Sequence, residues 1–118
     1  MPGVIDEQLF ETDTVAVPAG DRTIESRLID VRCAQHISVS LFLGPEGGDA
    51  LLTCNIGFLR TAGSRWVFSR AEVLRENNPA LSRSVPVGGP LLQVLVIGSS
   101  TSQAATVGGW VYGVREAS

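Results

Sequence analysis

Lysine is absent from this chain: all nine basic residues among its 118 are arginine. That removes Schiff-base catalysis, the phosphate-gripping lysine of a P-loop and any polybasic membrane patch built on lysine. Histidine occurs once, at His36, so a hydrolytic dyad or triad has a single ordinary base to draw on. No Gly-x-Ser-x-Gly elbow is available to present a serine, and Gly98-Ser99-Ser100 reads as a loop. Two cysteines are too few for a disulfide framework, and Asn55, Asn77 and Asn78 all fail the glycosylation pattern. No apolar run reaches the length of a membrane span, and the first residues lack the charged-then-apolar form of a secretory signal. The expectation is a protein made in the cytoplasm, with reduced cysteines and no membrane partner. A net charge of −3 with scattered arginines supplies no basic field for nucleic acid.

What the chain has is alternation. Apolar and polar residues alternate with period two over 10–17, 23–32, 36–43, 50–60, 65–68, 84–87, 91–97 and 107–115, with Gly, Pro, Asn and Ser clustered between. The fold class expected is all-β: one antiparallel β-sandwich domain, jelly-roll-like, of about eight strands over residues 9–118, preceded by an N-terminal arm at 1–8. One segment breaks the pattern. Ser69-Arg70-Ala71-Glu72 has the form of a capping box, helix formers follow, and Asn77-Asn78-Pro79 would end them, which predicts a short helical turn near 70–76.

Two hairpins can be given registers. With the turn at 44–49, Leu43 faces Ala50, Leu41 faces Leu52, Val39 faces Cys54 and Ile37 faces Ile56, an apolar set throughout, while Ser40 and Ser38 meet Thr53 and Asn55. In the last hairpin, Leu92, Val94 and Val96 oppose Tyr112, Trp110 and Gly108, and Leu91, Leu95 and Ile97 meet Gly113, Gly109 and Val107. Both of its faces are apolar. At about 25 cal/mol per Å², leaving one in water would forfeit several kcal/mol, so a second covering layer is implied. With Leu92, Val94, Val96, Trp110 and Tyr112 assigned to the core, Leu91, Leu95, Ile97, Val107 and Val111 become the expected subunit or lattice interface.

The remaining chemistry is sparse. Cys33-x-x-His36 has a zinc-like spacing, but three soft ligands with Cys54 do not close a structural site. Cys33 and His36 would also point to opposite sides of an extended segment. No metal, no cofactor and two free, buried cysteines are expected. The carboxylate pairs Glu46 with Asp49 and Glu72 with Glu76 read as solvated turn and helix rather than as acid and base. The loop 46–49 carries too few carboxylates for calcium. Trp66, Phe68, Trp110 and Tyr112 are the aromatic stock of a core, a subunit contact or a sugar platform, with Trp66 and Trp110 the candidate platform residues and Arg65 and Arg70 placed to stack on rings.

Leu28-Ile29-Asp30-Val31 leading into a core strand, Ser84-Val85-Pro86-Val87 with Gly89-Pro90 before 91–97, and the closing Trp110-Val111-Tyr112-Gly113-Val114-Arg115 together resemble small jelly-roll β-sandwiches of the galactose-binding-like kind. Similar modules serve as accessory or decoration proteins of phage particles. The resemblance covers most of the chain in strand rhythm and turn residues, and it carries no ligand residue across. With the missing catalytic set, the doubly apolar hairpin and the absent signal, the expectation is a non-enzymatic structural protein that forms a homo-oligomer, a dimer or trimer, and docks on a larger assembly such as a virion head or tail lattice. The alternative is a carbohydrate-binding module with its ligand at one end of the sandwich.

Overall fold

Alternation at the sequence level becomes alternation of burial in the computed structural model, which describes residues 3–18, 22–44, 51–75, 77–99 and 105–116. Ten strands run in the order β1 (Val4–Gln8), β2 (Val15–Val17), β3 (Arg22–Glu25), β4 (Ile29–Asp30), β5 (His36–Leu43), β6 (Leu51–Leu59), β7 (Val67–Arg75), β8 (Ala80–Pro86), β9 (Leu91–Ser99) and β10 (Ala105–Val114). They form two antiparallel five-stranded sheets. The first has the order β1-β10-β5-β8, with β2 also on β10; the second has the order β3-β9-β6-β7, with β4 also on β9. Every second residue of β5 and of β6 is buried, and the two inward faces, Ile37, Val39 and Leu41 against Leu52, Cys54 and Ile56, form one core.

The expected hairpin between 36–43 and 50–60 does not exist. β5 pairs with β10 and β8, whereas β6 pairs with β7 and β9. The same correction applies to the last pair, because β9 belongs to the second sheet and β10 to the first. The inward faces of β5 and β6 were nonetheless identified correctly. Two apolar faces that match across a hairpin match equally well across the ~10 Å gap between stacked sheets, since burial parity does not distinguish a pairing partner from a facing partner.

The expected arm is strand β1, paired along its whole length with β10 from Val4↔Val114 to Gln8↔Trp110. β2 resumes the same edge at Val15↔Val107. Between these registers, residues 9–14 oppose only Gly108 and Gly109, so the longer side bulges. Leu9 and Phe10 turn into the core, with the Leu9 amide donating to the Gly109 carbonyl at 3.0 Å.

No helix occurs among the described residues, and the turn predicted near 70–76 is part of β7. β7 is an edge strand, exposed over its first five residues, and its register shifts at Ile56/Gly57 so that Ile56 pairs with Arg70 and Gly57 with Phe68. The bulge at Ser69 breaks the parity that would have marked a strand. Glu72 faces inward beside Leu74. It takes Arg70 at 2.7 Å and, across the open side of the sandwich, Arg83 of β8 at 3.2 Å.

Candidate interaction faces

β10 decides what the first sheet shows to solvent. Its sequence, Val107-Gly-Gly-Trp-Val-Tyr-Gly-Val114, offers two sets of alternating positions, and hydrophobicity favours burying Trp110 and Tyr112. The structure buries the other set: Val107 and Val111 are 0 % exposed, and Gly109 and Gly113 lie between and beyond them. Large neighbours already occupy the space over those glycines. A Cβ on Gly109 would collide with the Ser40 carbonyl oxygen and stand 3.0 Å from Leu9 Cδ1 and 3.1 Å from Leu41 Cδ2. Trp110 and Tyr112 therefore point outward, 47 % and 48 % exposed, in line with Val114, which is also exposed.

Around this ridge the face is low and almost uncharged. Ser40 and Ser38 of β5 lie beside Trp110 and Tyr112, and Ser82 and Ser84 of β8 lie beside those serines. The Ser40 hydroxyl donates to Ser82 Oγ at 3.1 Å, and Ser38 Oγ stands 3.4 Å from the same atom. On the other flank β1 contributes Val4, Asp6 and Gln8. Phe42 folds its ring over Gly108 and lies 6.1 Å from the Trp110 ring. Two carboxylates lie on this flank: Asp6, and Asp13, which accepts from the Gln8 side-chain amide at 2.7 Å and whose carbonyl also lies over Gly108.

The expected interface set does not form one surface. Leu91, Leu95 and Ile97 lie half-buried on the outer face of the second sheet, beside Leu59, Asn55 and Thr53 of β6. Val107 and Val111 are in the core between the sheets, on the far side of the layer from those three. The two platform candidates part as well. Trp66 lies over Gly57 on the second sheet, its indole N–H donating to the Gln93 carbonyl at 3.3 Å and its ring 6.2 Å from the half-exposed Phe68. Trp110 is on the opposite side of the molecule. The assignment of Trp110 and Tyr112 to the core is corrected by the glycine spacing of β10; Val4, Val114 and the serine strip are the functional candidates that pattern reading missed.

The soft ligands are also dispersed. Cys54 is buried, and burial, with Glu72 nearby, pushes its thiol up to about 12. Cys33, expected to be buried, is exposed at a positive φ of 69° in the turn after β4, and His36 is exposed at the start of β5. Both cysteines are free. Among the described residues no three His, Cys, Asp or Glu side chains converge as metal ligands. The loop carrying Glu46 and Asp49, and Glu76, lie outside the described residues.

A third cluster ties the chain ends of the two sheets together. Asp30 accepts Arg32 through both carboxylate oxygens, and Arg115 donates to the Asp30 and Arg32 carbonyls at 2.8 and 2.7 Å. The Arg32 hydrogen bonds hold the Asp30 carboxyl well below the usual range, at about 2. With both arginines engaged by Asp30 and by backbone, this cluster is a clamp on the turn.

No family model matches the chain, and no curated protein does. Solved structures do. A chain from the structure of infectious bursal disease virus Gx strain superposes with a TM-score of 0.62 at 10 % identity, over 98 % of this chain and 32 % of that one. The VP2 subviral particle of the same virus gives 0.60 at 11 % identity, over 98 % and 33 %. This chain thus spans about a third of the length of those viral chains. A Bacillus endospore appendage, from a family of disulfide-linked pili, gives 0.57 at 9 % identity, over 98 % of this chain and 92 % of that one. At such identities the shared property is the fold, a two-sheet β-sandwich.

Proposed function

We propose that this chain is a non-enzymatic structural subunit that self-associates and takes its place in a larger assembly, of the virion accessory or decoration kind, on a jelly-roll framework. Strand order supports the framework. Counting β1 with β2 and β3 with β4 as single positions gives eight, in sheets ordered 1-8-3-6 and 2-7-4-5, the two interleaved four-position layers of a jelly roll. The neighbours that share the sandwich come from a subviral particle and from disulfide-linked pili, which supports an assembly role. Incorporation into such a particle is the localisation this reading assigns.

The observation that carries the reading is the outer face of the first sheet. Val4, Trp110, Tyr112 and Val114 are each about half exposed on one surface, with the carboxylates Asp6 and Asp13 on its β1 side. Soluble monomers keep contiguous apolar patches of that kind small, and aromatic residues with few charges are the composition of interface cores. Static light scattering of the purified chain over a concentration series tests it. A mass above the 12.5 kDa of one chain that rises with concentration is expected, and a constant 12.5 kDa would refute the proposal.

The second reading, a carbohydrate-binding module, is favoured by the exposure of Trp110 and Tyr112 on one strand with Asp6 and Gln8 alongside. It would place the ligand on the sheet face rather than at the loop end. Titration with soluble polysaccharides, followed by tryptophan emission, separates it from assembly.

A further inference from the structure

We infer that the outer face of the first sheet pairs with the same face of a second copy of this chain about a two-fold axis running along the strands between β10 and β5. The inference rests on the assembly reading above and names its partner and geometry.

Register carries the argument. Across the seam between β10 and β5, the two exposed aromatic side chains sit beside short ones: Trp110 beside Ser40, and Tyr112 beside Ser38. One strand further out, Gln8 and Asp6 flank the aromatic side, while Ser82 and Ser84 flank the serine side. A two-fold rotation about the seam exchanges β10 with β5 and β1 with β8 between the copies. It lays Trp110 and Tyr112 of one copy over Ser40 and Ser38 of the other, and Gln8 and Asp6 over Ser82 and Ser84. Tall meets short in both rows and on both sides of the axis, which is the self-complementarity that a two-fold interface requires. Phe42, whose ring covers Gly108 together with the Asp13 carbonyl, closes one end of the seam.

Charge and polarity agree with this occupant. Asp6 lands against the Ser84 hydroxyl, and Asp13, which accepts from the Gln8 side-chain amide at 2.7 Å, lies on the same β1 side, so the carboxylates of the two copies sit on opposite margins and do not face each other. Ser38, Ser40 and Ser82 already bond one another, so covering them strands few polar groups. Size agrees as well. Four strands at ~4.8 Å spacing and eight residues at ~3.4 Å give a plan area of roughly 500 Å². A standard interface takes about 800 Å² of accessible surface per partner, so the whole face must be used. An axis through its middle does that; an off-centre contact does not. Leu91, Leu95 and Ile97 on the second sheet are already half-shielded by their neighbours and are left outside this contact.

Sedimentation equilibrium of the wild type, Ser40→Glu and Leu95→Glu tests the pairing. The wild type is expected at twice 12.5 kDa. Ser40→Glu should be monomeric, its dissociation constant raised at least ~100-fold with unchanged circular dichroism, because its carboxylate would be buried beneath the Trp110 of the other copy. Leu95→Glu should remain a dimer. Ser82→Glu, at an exposed edge position where folding is not at stake, should weaken the dimer at least ~10-fold and serves if Ser40→Glu misfolds. If the wild type associates but Leu95→Glu rather than the two serine variants dissociates it, this inference fails and the assembly reading stands. If the wild type stays at 12.5 kDa throughout, both fail, and a shift of Trp110 emission with a soluble β-glucan would then assign the face to a glycan.

Discussion

Glu72 distinguishes two descriptions of residues 69–76 that differ in every consequence. As the third helical residue of a capping box it would serve its own turn and have nothing to do with residue 83. As an inward-facing residue of edge strand β7 it is 12 % exposed and binds Arg70 at 2.7 Å and Arg83 at 3.2 Å, so it joins the open edges of the two sheets. At an effective dielectric near 20, two charges ~4 Å apart attract by about 4 kcal/mol, but desolvating the carboxylate offsets much of that. Both arginines keep over 40 % of their side chains exposed, which places the pair near the upper end of the range of about 0.2–1 kcal/mol found for exposed ion pairs. The expected coupling of Glu72 to Arg83 is therefore about 1 kcal/mol. Urea unfolding of the wild type, Glu72→Ala, Arg83→Ala and the double variant measures it. Glu72→Ala alone should cost about 1–2 kcal/mol, because the arginines it releases can turn to water. A coupling below about 0.3 kcal/mol, within ordinary additivity, would refute the cross-sheet pairing.

Two further outcomes follow from the same coordinates. Native protein should show one thiol reacting promptly with a disulfide reagent, Cys33, while buried Cys54, its thiol pushed up to about 12, reacts only on unfolding; two prompt thiols would contradict the packing of β6 against the first sheet. Asp30, held at about 2 against an ordinary 3.8, stabilises the fold above about pH 4, and that contribution fades as pH falls toward 2. Its side chain is 41 % exposed, so the effect is at most about 1 kcal/mol, and Asp30→Asn should lose it; a variant with the wild-type acid unfolding curve would argue against the Arg32 clamp.

The β-sandwich class and the inward faces of β5 and β6 were legible in the sequence because one buried face per strand leaves a period-two trace whatever the strand pairs with. The pairing itself was not. The connections between β5 and β6 and between β9 and β10 change sheets, and an apolar match across a hairpin is the same match as one across a core. β10 misled for a different reason: Gly109 and Gly113 make the buried face look polar and thin, and only the three-dimensional placement of Leu9, Leu41 and Ile37 over them shows why glycine sits inside and Trp110 outside. The bulge at Ser69 and the wet edge of β7 erased the alternation that would have opposed the capping-box reading. Val107 and Val111 share a face with Leu91, Leu95 and Ile97 only if β9 and β10 form a hairpin, and the two strands lie in different sheets.

Trp110 and its face are covered when copies assemble. In a Trp66→Phe variant Trp110 is the sole tryptophan, and acrylamide quenching of its selectively excited fluorescence can be followed as protein concentration rises through the association range. The account predicts a steep quenching slope at low concentration, as befits a side chain 47 % exposed, that flattens several-fold as copies pair. A slope that stays equally steep at every concentration would contradict it.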